Sequence, residues 1–494
     1  MKTAVAVAAC LLAVTYLAEG KTLDLQRGVI VHLFEWSYPE IAKECEEFLS
    51  PKGFAGVQIS PPTENLVVEG QWWERYQVVS YQLISRSGNE NQLRDMLTRC
   101  NRVGVRVFAD VVFNHMTGNR DNCRGVGNST CNTRDLSYPA VPYTRDDFHQ
   151  PQCSINNYKS PGEVRNCELV GLHDLDQSRE SVREKIVKLL NHLIDIGVAG
   201  FRIDAAKHMN PNDLSVIYQR LKYLNTEQGF PAKTKPLIYQ EVIDKGGEGV
   251  KYEEYTPLGL VTDFRLGDEL GRCFQGKNDL KWLRNFGTEW NLLPEQQSVV
   301  FIDNHDTERT TDDKNTLNYK KSRAYKMAVV FMLAKGDYTS KILSGYQFSS
   351  FDQGPPSQPP RPINKNVCSH GWVCQHRWRQ IYNAVGFHNV VKGTPVSSWW
   401  DNGKNQIAFC RGNKGFVAFN LEDYDLKRTL QTCLPEGEYC DIISGEVTTT
   451  GCSGKTVHVS KDGRADIFIS RFNPESAEDG VLAIHVKSVT PSTQ

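Results

Sequence analysis

Eight short apolar runs, separated by stretches of helical periodicity, constrain this chain more than any other feature. They read VIVHLF (29–34), GVQIS (56–60), RVFADVV (106–112), GFRID (200–204), LIYQEV (237–242), VTDF (261–264), SVVFIDN (298–304) and KILSGYQF (341–348). Runs of this length, rich in β-branched residues, predict strands. In 178–196, Val182, Ile186, Leu189, Leu190, Leu193 and Ile194 recur at the spacing of one helical face. Ser178 reads as the N-cap of that helix and Gly197 as its stop. Residues 91–104 and 320–334 repeat the pattern. Eight strands alternating with helices predict a (β/α)8 TIM barrel. A doubly wound open sheet is the alternative, and the lack of a GxGxxG loop after the first run disfavours it.

Three segments depart from the alternation. Residues 1–20 carry Lys2, an apolar run and small residues up to Gly20, the pattern of a cleaved signal peptide. Between His115 and Arg179 lies a stretch rich in Asn, Pro, Gly and Cys, too long for a structureless loop. It predicts a small inserted domain after strand three. From Asp401 the pattern changes to short alternating strands with Gly turns, as in QIAFCRG and FVAFN, predicting a C-terminal all-β sandwich domain. The division is thus 1–20 signal peptide, 21–115 and 179–400 barrel, 116–178 inserted domain, and 401–494 β domain. The chain has 14 cysteines and a formal net charge of −1. No CxxC pair occurs, so the cysteines point to an oxidising, extracellular compartment, not a zinc ribbon. Near-neutral charge without a basic stripe argues against a nucleic-acid partner. No apolar run after the leader is long enough for a membrane span. Cys153/Cys167, Cys368/Cys374 and Cys440/Cys452 lie close enough in sequence to pair. Asn128-Ser129-Thr130 is a glycosylation sequon.

A barrel of this kind does its chemistry at the C-terminal ends of its strands. Asp204 ends strand four, Glu241 strand five, and Asp306 follows strand seven. A single acidic residue there is commonly a helix cap. Three at equivalent strand ends suit glycosidic bond cleavage, with one nucleophile, one acid and one stabiliser of positive charge. Arg202, two residues before Asp204, favours the charged form of that carboxylate, whereas a carboxyl that serves as the acid must hold its proton near neutrality.

DVVFNH (110–115), GFRIDAAKHM (200–209), YQEVID (239–244) and FIDNHD (301–306) resemble the four short motifs of the α-amylase family of glycoside hydrolases. QWWERYQ (71–77), SRSGNENQLRDM (85–96) and SWWDNGKNQIAF (398–409) are similar to its animal-type secreted members. The resemblance implies a secreted enzyme that cleaves internal α-1,4 linkages of starch and glycogen with retention of configuration. Asp204 matches the nucleophile, Glu241 the general acid/base, and Asp306 the carboxylate that distorts the sugar. His115 and His305 match contacts to that ring. Trp72, Trp73 and Tyr76 match sugar-stacking residues, and Tyr158 and Lys207 further subsite contacts. Trp72 and Trp73, read as neighbours on an extended segment, would face opposite ways and form a surface platform.

The same resemblance implies one structural Ca²⁺ held by Asn114, Asp174 and the carbonyls of Arg165 and His208. It implies a chloride held by Arg202, Asn304 and a second arginine, where Lys341 stands here. Lysine is cationic but lacks the bidentate fork of arginine, so chloride is a weaker expectation. By resemblance Cys45 bridges Cys100, and Cys153–Cys167, Cys368–Cys374 and Cys440–Cys452 are further bonds. Cys123 and Cys131 are an additional candidate pair; Cys273, Cys410 and Cys433 have no obvious partner. After Asp306 the family pattern gives way to Thr307-Glu308-Arg309, and the glycine-rich mobile loop that follows in the family is altered over 307–315. Glu308 is expected to add negative charge near the site. Expected partners are starch, glycogen, maltooligosaccharides and proteinaceous amylase inhibitors, met by a monomer. The changed loop keeps two alternatives open: a maltase or transglycosylase, and a non-catalytic carbohydrate- or protein-binding homologue.

Overall fold

The computed structural model describes residues 21–25, 27–310, 315–364, 367–471 and 479–491. The expected leader, residues 1–20, and residues 311–314 of the altered loop lie outside the described residues. Eight parallel strands close into a barrel in sequential order. They are β1 Val29–Leu33, β2 Gly56–Ile59, β3 Arg106–Val111, β4 Gly200–Ile203, β5 Leu237–Gln240, β6 Leu260–Asp263, β7 Ser298–Val300 and β8 Thr339–Ser344. β8 pairs with β1, Ser340 opposite Val29, and so closes the ring. All eight predicted strands are present.

The ends differ, for local reasons. The seventh run extends to Asn304 in sequence, yet β7 stops at Val300. The Asn304 side-chain oxygen accepts hydrogen bonds from the backbone N–H groups of Asp306 and Thr307, which turns the chain before it can extend the ladder. The helix expected over 178–196 runs Glu180–Asp195, and it buries the six residues of its predicted face. Its N-cap is Arg179, not Ser178, because the Ser178 hydroxyl donates to Asp176 instead. Gly197, at φ +115°, stops it.

The insertion is pinned to the barrel mouth by a short antiparallel pair, His115–Gly118 with Leu172–Asp174. Disulfides Cys123–Cys131 and Cys153–Cys167 close it internally. At the C-terminus, β9 Val396–Asp401, β10 Gln406–Arg411, β11 Gly415–Asn420 and β12 Val481–His485 form a four-stranded sheet. The sheet therefore begins at Val396, ahead of Asp401, where the composition changes. It has its own apolar cluster, which includes Phe416, Ile467 and Ile484. Arg411, almost wholly buried, joins it to the barrel by donating to the carbonyls of Ala334 and Thr394 and to Asp337. No helix among the described residues is long and apolar enough to cross a membrane.

Cys45–Cys100, Cys368–Cys374 and Cys440–Cys452 are also bonded. Cys410 and Cys433, left without partners by the sequence, bridge each other, and Cys273 remains free and buried. The Cys410–Cys433 bond spans 23 residues. Replacing both by alanine should lower stability by about 3 kcal/mol, because the unfolded chain regains the entropy of that loop. The shift in urea midpoint of the oxidised protein against the double variant checks it.

Candidate active site

The barrel interior carries a polar layer just below its C-terminal mouth. Arg202 stands beside Asp110 on β3 and Tyr239 on β5 in the parallel register. Phe201 and Ile203, one residue to either side, take the opposite phase of the strand. Gln58 from β2 and Lys341 from β8 complete the layer: Tyr239 and Lys341 both donate to Gln58 Oε1, at 2.9 and 3.1 Å. His32 on β1 sits above, fully buried, with its ring edge-on to His305 at 5.4 Å. Gln58, Asp110, Tyr239 and His32 escaped the sequence reading as site residues. Their signal was a polar residue, or a phenol, in the inward phase of an apolar run.

Arg202 organises the charges. Its Nη1 donates to Asp110 Oδ1 at 2.7 Å and to Asp204 Oδ1 at 2.8 Å, and its Nη2 lies 2.6 Å from Glu241 Oε1. Three carboxylates thus share one buried guanidinium. Burial, with Glu241 and Asp110 adding to it, pushes the Asp204 carboxyl well above its ordinary range, and Arg202 offsets only part of this. Burial also raises Asp110. Arg202 does favour the charged form of Asp204, as expected from the sequence, but burial outweighs it. The second oxygen of Glu241 accepts the Ala205 N–H at 2.8 Å. Ala205 is left-handed, at φ +49°, an uncommon state for alanine that aims this N–H at the carboxylate.

A cavity of about 480 Å³ opens above this layer. Asp204, Glu241 and Asp306 line it together, as do Trp72, Trp73, Tyr76, His115, Tyr158, Lys207 and His305. Tyr76 donates to Asp110 Oδ2 at 3.0 Å, and its ring stacks on His305 with centroids 5.1 Å apart. His115 Nε2 donates to the Tyr76 carbonyl, and its Nδ1 accepts the Asn114 amide, so one neutral tautomer is fixed. Burial pushes its pKa down to about 4. Lys207 donates to the Ile243 carbonyl at 2.8 Å, ion-pairs with Glu248, and lies 5.1 Å from the Tyr158 ring. Ile243 and Glu248, also cavity-lining, were missed because nothing in a single sequence separates them from loop residues.

Two readings need correction. Trp72 and Trp73 are not on an extended segment: Trp72 caps a 3₁₀ turn, Trp73–Tyr76. Trp72 is buried among Phe34, Tyr76, His305 and Phe351, and only Trp73 is partly open. Glu308 does not charge the cleft. It is buried against Gly345, where a Cβ would stand 3.2 Å from its Oε1, with Arg309 Nη2 3.3 Å away. Burial pushes its pKa up to about 8, so it holds its proton near neutrality.

At the junction with the insertion, Asn114 Oδ1 is buried and has no hydrogen-bond partner among the described residues. Asp174 is buried nearby across the short antiparallel pair, with His149 Nδ1 2.7 Å from its Oδ2. His208 Nδ1 donates to the Val164 carbonyl, which brings the Arg165 and His208 backbones together. An amide oxygen, a carboxylate and two carbonyls are hard oxygen donors suited to Ca²⁺. Among the described residues no cluster of three or more His, Cys, Asp or Glu could hold a metal by acidic or soft ligands. For an anion, Lys341 is buried and its hydrogen-bond partner is the neutral Gln58 amide. Burial, then Arg202, pushes its pKa down to about 7. Arg202 and Lys341 are buried cations and Asn304 a buried amide, donor chemistry that would suit chloride.

The chain is similar to known proteins over most of its length. Residues 47–347 match the alpha amylase catalytic domain, and 398–487 the alpha amylase C-terminal all-beta domain. An alpha-amylase of Tribolium castaneum is 53% identical over 94% of this chain and 94% of its own. An alpha-amylase-related protein of Drosophila lini is 49% identical over 97% of this chain and 99% of its own. A crystal structure of a mutant of alpha-amylase I from Eisenia fetida, in complex with maltohexaose, superposes with a TM-score of 0.88 at 42% identity. That alignment covers 94% of this chain and 99% of the other.

Proposed function

The chain belongs to the α-amylase family, and from that premise we propose that it is a secreted endo-hydrolase of α-1,4-glucosidic linkages in starch and glycogen, retaining configuration. One observation carries the reading: Asp204, Glu241 and Asp306 face a single cavity, with Arg202 bridging the first two. Asp204 attacks the anomeric carbon while Glu241 gives its proton to the departing glycosidic oxygen. The bond to that oxygen breaks as the Asp204 ester forms. Glu241, now ionised, takes a proton from water, whose oxygen displaces Asp204 and regenerates both groups. Retaining enzymes hold the two carboxyls about 5–5.5 Å apart; two carboxylates on one guanidinium favour this short spacing over the wider inverting one. Asp306, with His305 beside it, faces the sugar from the other wall and stabilises positive charge at its ring. The Asp110 hydrogen bond and the His305 stack orient Tyr76, and Trp73 offers a stacking face.

Ca²⁺ would be held by Asn114 Oδ1, Asp174 and the carbonyls of Arg165 and His208, where it would tie the insertion to the barrel beside the cleft. Chloride would supply negative charge opposite Arg202 and Lys341. If Ca²⁺ binds only the folded form, chelation with EDTA should lower the melting temperature. The loss amounts to about 2.7 kcal/mol relative to protein held at a hundred times its dissociation constant. Thermal melts with and without added Ca²⁺ check it. The six disulfides among the described residues suit an extracellular enzyme. It would act as a monomer on polysaccharide and maltooligosaccharides, and proteinaceous inhibitors would compete for the same cleft.

Product analysis on soluble starch tests the reading. Mixed maltodextrins released early in the reaction are expected. Glucose or transfer products alone would instead indicate a maltase or transglycosylase. No reaction would indicate a binding homologue, a reading kept in view by relatives named alpha-amylase-related proteins.

A further inference from the structure

A hairpin of the insertion carries a motif that the cleft does not use. Cys123–Arg124 pairs with Thr130–Cys131, and a disulfide joins Cys123 to Cys131. Between them the Gly125 N–H donates to the Ser129 carbonyl and the Asn128 N–H to the Gly125 carbonyl. Asn128 is left-handed, at φ +73°, a state that asparagine tolerates better than most residues. Turn geometry alone accounts for Asn128; it does not account for Thr130, two residues on. The hairpin has two sides. The inner side is built on Glu64, which is fully buried and whose Oε1 accepts the N–H groups of Gly127 and Ser129 at 2.8 and 3.0 Å. A Cβ on Gly127 would stand 2.9 Å from the same oxygen, so that side has no spare room. Ser129 is engaged as well, its Oγ accepting from Gln82 Nε2. The outer side is Asn128 and Thr130, both exposed. Arg124 donates to Asn128 Oδ1 from Nε, at 3.1 Å, and from Nη2. A guanidinium only donates, so the amide oxygen faces it and the amide nitrogen is the free end. Among the described residues neither Asn128 Nδ2 nor the Thr130 hydroxyl has a partner.

We propose that Asn128 carries an N-linked glycan, added as the chain enters the secretory pathway. Asn128-Ser129-Thr130 is the one Asn-x-Ser/Thr sequence in the chain. The two atoms that the modification needs, the asparagine nitrogen and the hydroxyl two residues on, are the two that the fold leaves unused. Asn128 Nδ2 bonds to the anomeric carbon of the first sugar of a lipid-pyrophosphate-linked oligosaccharide. The bond from that carbon to the pyrophosphate oxygen breaks, and the nitrogen gives up a proton as the lipid pyrophosphate leaves. Oδ1 keeps its Arg124 donors, so the turn loses no hydrogen bond. A glycan is bulky and needs a solvent-facing anchor, which the outer side of this hairpin provides. Asn128 is not among the residues that line the cavity, so the glycan is rooted outside the cleft. The inference rests on the secreted reading above, because only a chain that enters that pathway meets the lipid-linked donor.

The test expresses the full chain, leader included, in cultured insect cells and maps the tryptic peptide 125–134 by mass spectrometry. That peptide should carry a glycan, and peptide N-glycosidase should remove it and convert Asn128 to aspartate. Asn128→Gln and Thr130→Ala should each lower the mass of the whole protein by one glycan. Thr130→Ser, which keeps the hydroxyl, should retain it. Thr130→Ala deletes a hydroxyl that no hydrogen bond holds, so loss of the glycan there reports recognition of the motif and not collapse of the hairpin. An unmodified peptide in protein recovered from the medium, or a glycan that persists in Thr130→Ala, overturns the proposal and leaves the secreted reading standing. A chain that stays inside the cells with its leader uncleaved overturns both.

Discussion

Replacing Glu241 by glutamine should lower kcat on starch by roughly 10²–10⁴-fold, the range general acid–base catalysis contributes. Glutamine keeps an oxygen to accept the Ala205 N–H, so the loop after β4 stays in place. It has no proton to give the glycosidic oxygen and no charge with which to take one from water. Arg202 keeps Asp110 and Asp204 as partners, so folding should survive, as the melting temperature will show. KM should change far less than kcat, because the lost interaction belongs to the transition state. Steady-state kinetics on soluble starch measures both. Near-normal turnover in a folded variant would refute the assignment of Glu241.

Replacing Arg202 by methionine should have the largest effect on stability. It would leave Asp110, Asp204 and Glu241 together in a buried site without their shared cation. Breaking a buried ion pair by removing one partner costs about 3–5 kcal/mol. The cost should depend on pH in a definite direction. Asp110 and Asp204 already sit above their ordinary range in the folded protein, and loss of Arg202 raises them further. A carboxyl whose folded pKa exceeds its unfolded value binds more protons when folded. Its contribution to stability is full below the unfolded value, about 4, and is lost as pH rises through the folded one. The deficit of the variant should therefore be small in mild acid and large above neutrality. Urea midpoints of the two proteins across a pH series measure it; a deficit that does not vary with pH would contradict the cluster.

The sequence made the barrel legible because its two periodicities are local: apolar runs for strands, and one buried stripe on Glu180–Asp195 for a helix. The carboxylates were legible because they close those runs. What stayed hidden depends on which residues closure brings together. The Arg202–Glu241 contact joins β4 to the loop after β5, and no spacing encodes it. The Cys410–Cys433 bond leaves from a strand of the C-terminal sheet. The 3₁₀ turn at Trp73–Tyr76 reads as extended in sequence because a four-residue aromatic segment has no period to distinguish the two. Glu308 follows Asp306 closely in sequence and so reads as a cleft residue, whereas the chain turns after Asn304 and sends it inward.

The central claim is that Asp204 and Glu241 act on the same glucose unit, Asp204 by forming a bond to it. It is tested most directly by incubating Glu241→Gln protein with an α-maltosyl fluoride, whose leaving group needs little protonation, and mapping the adduct by peptide mass spectrometry. The account predicts a single glycosyl ester on the peptide that contains Asp204. An ester on a different residue, or release of β-configured product with no ester at all, would contradict it.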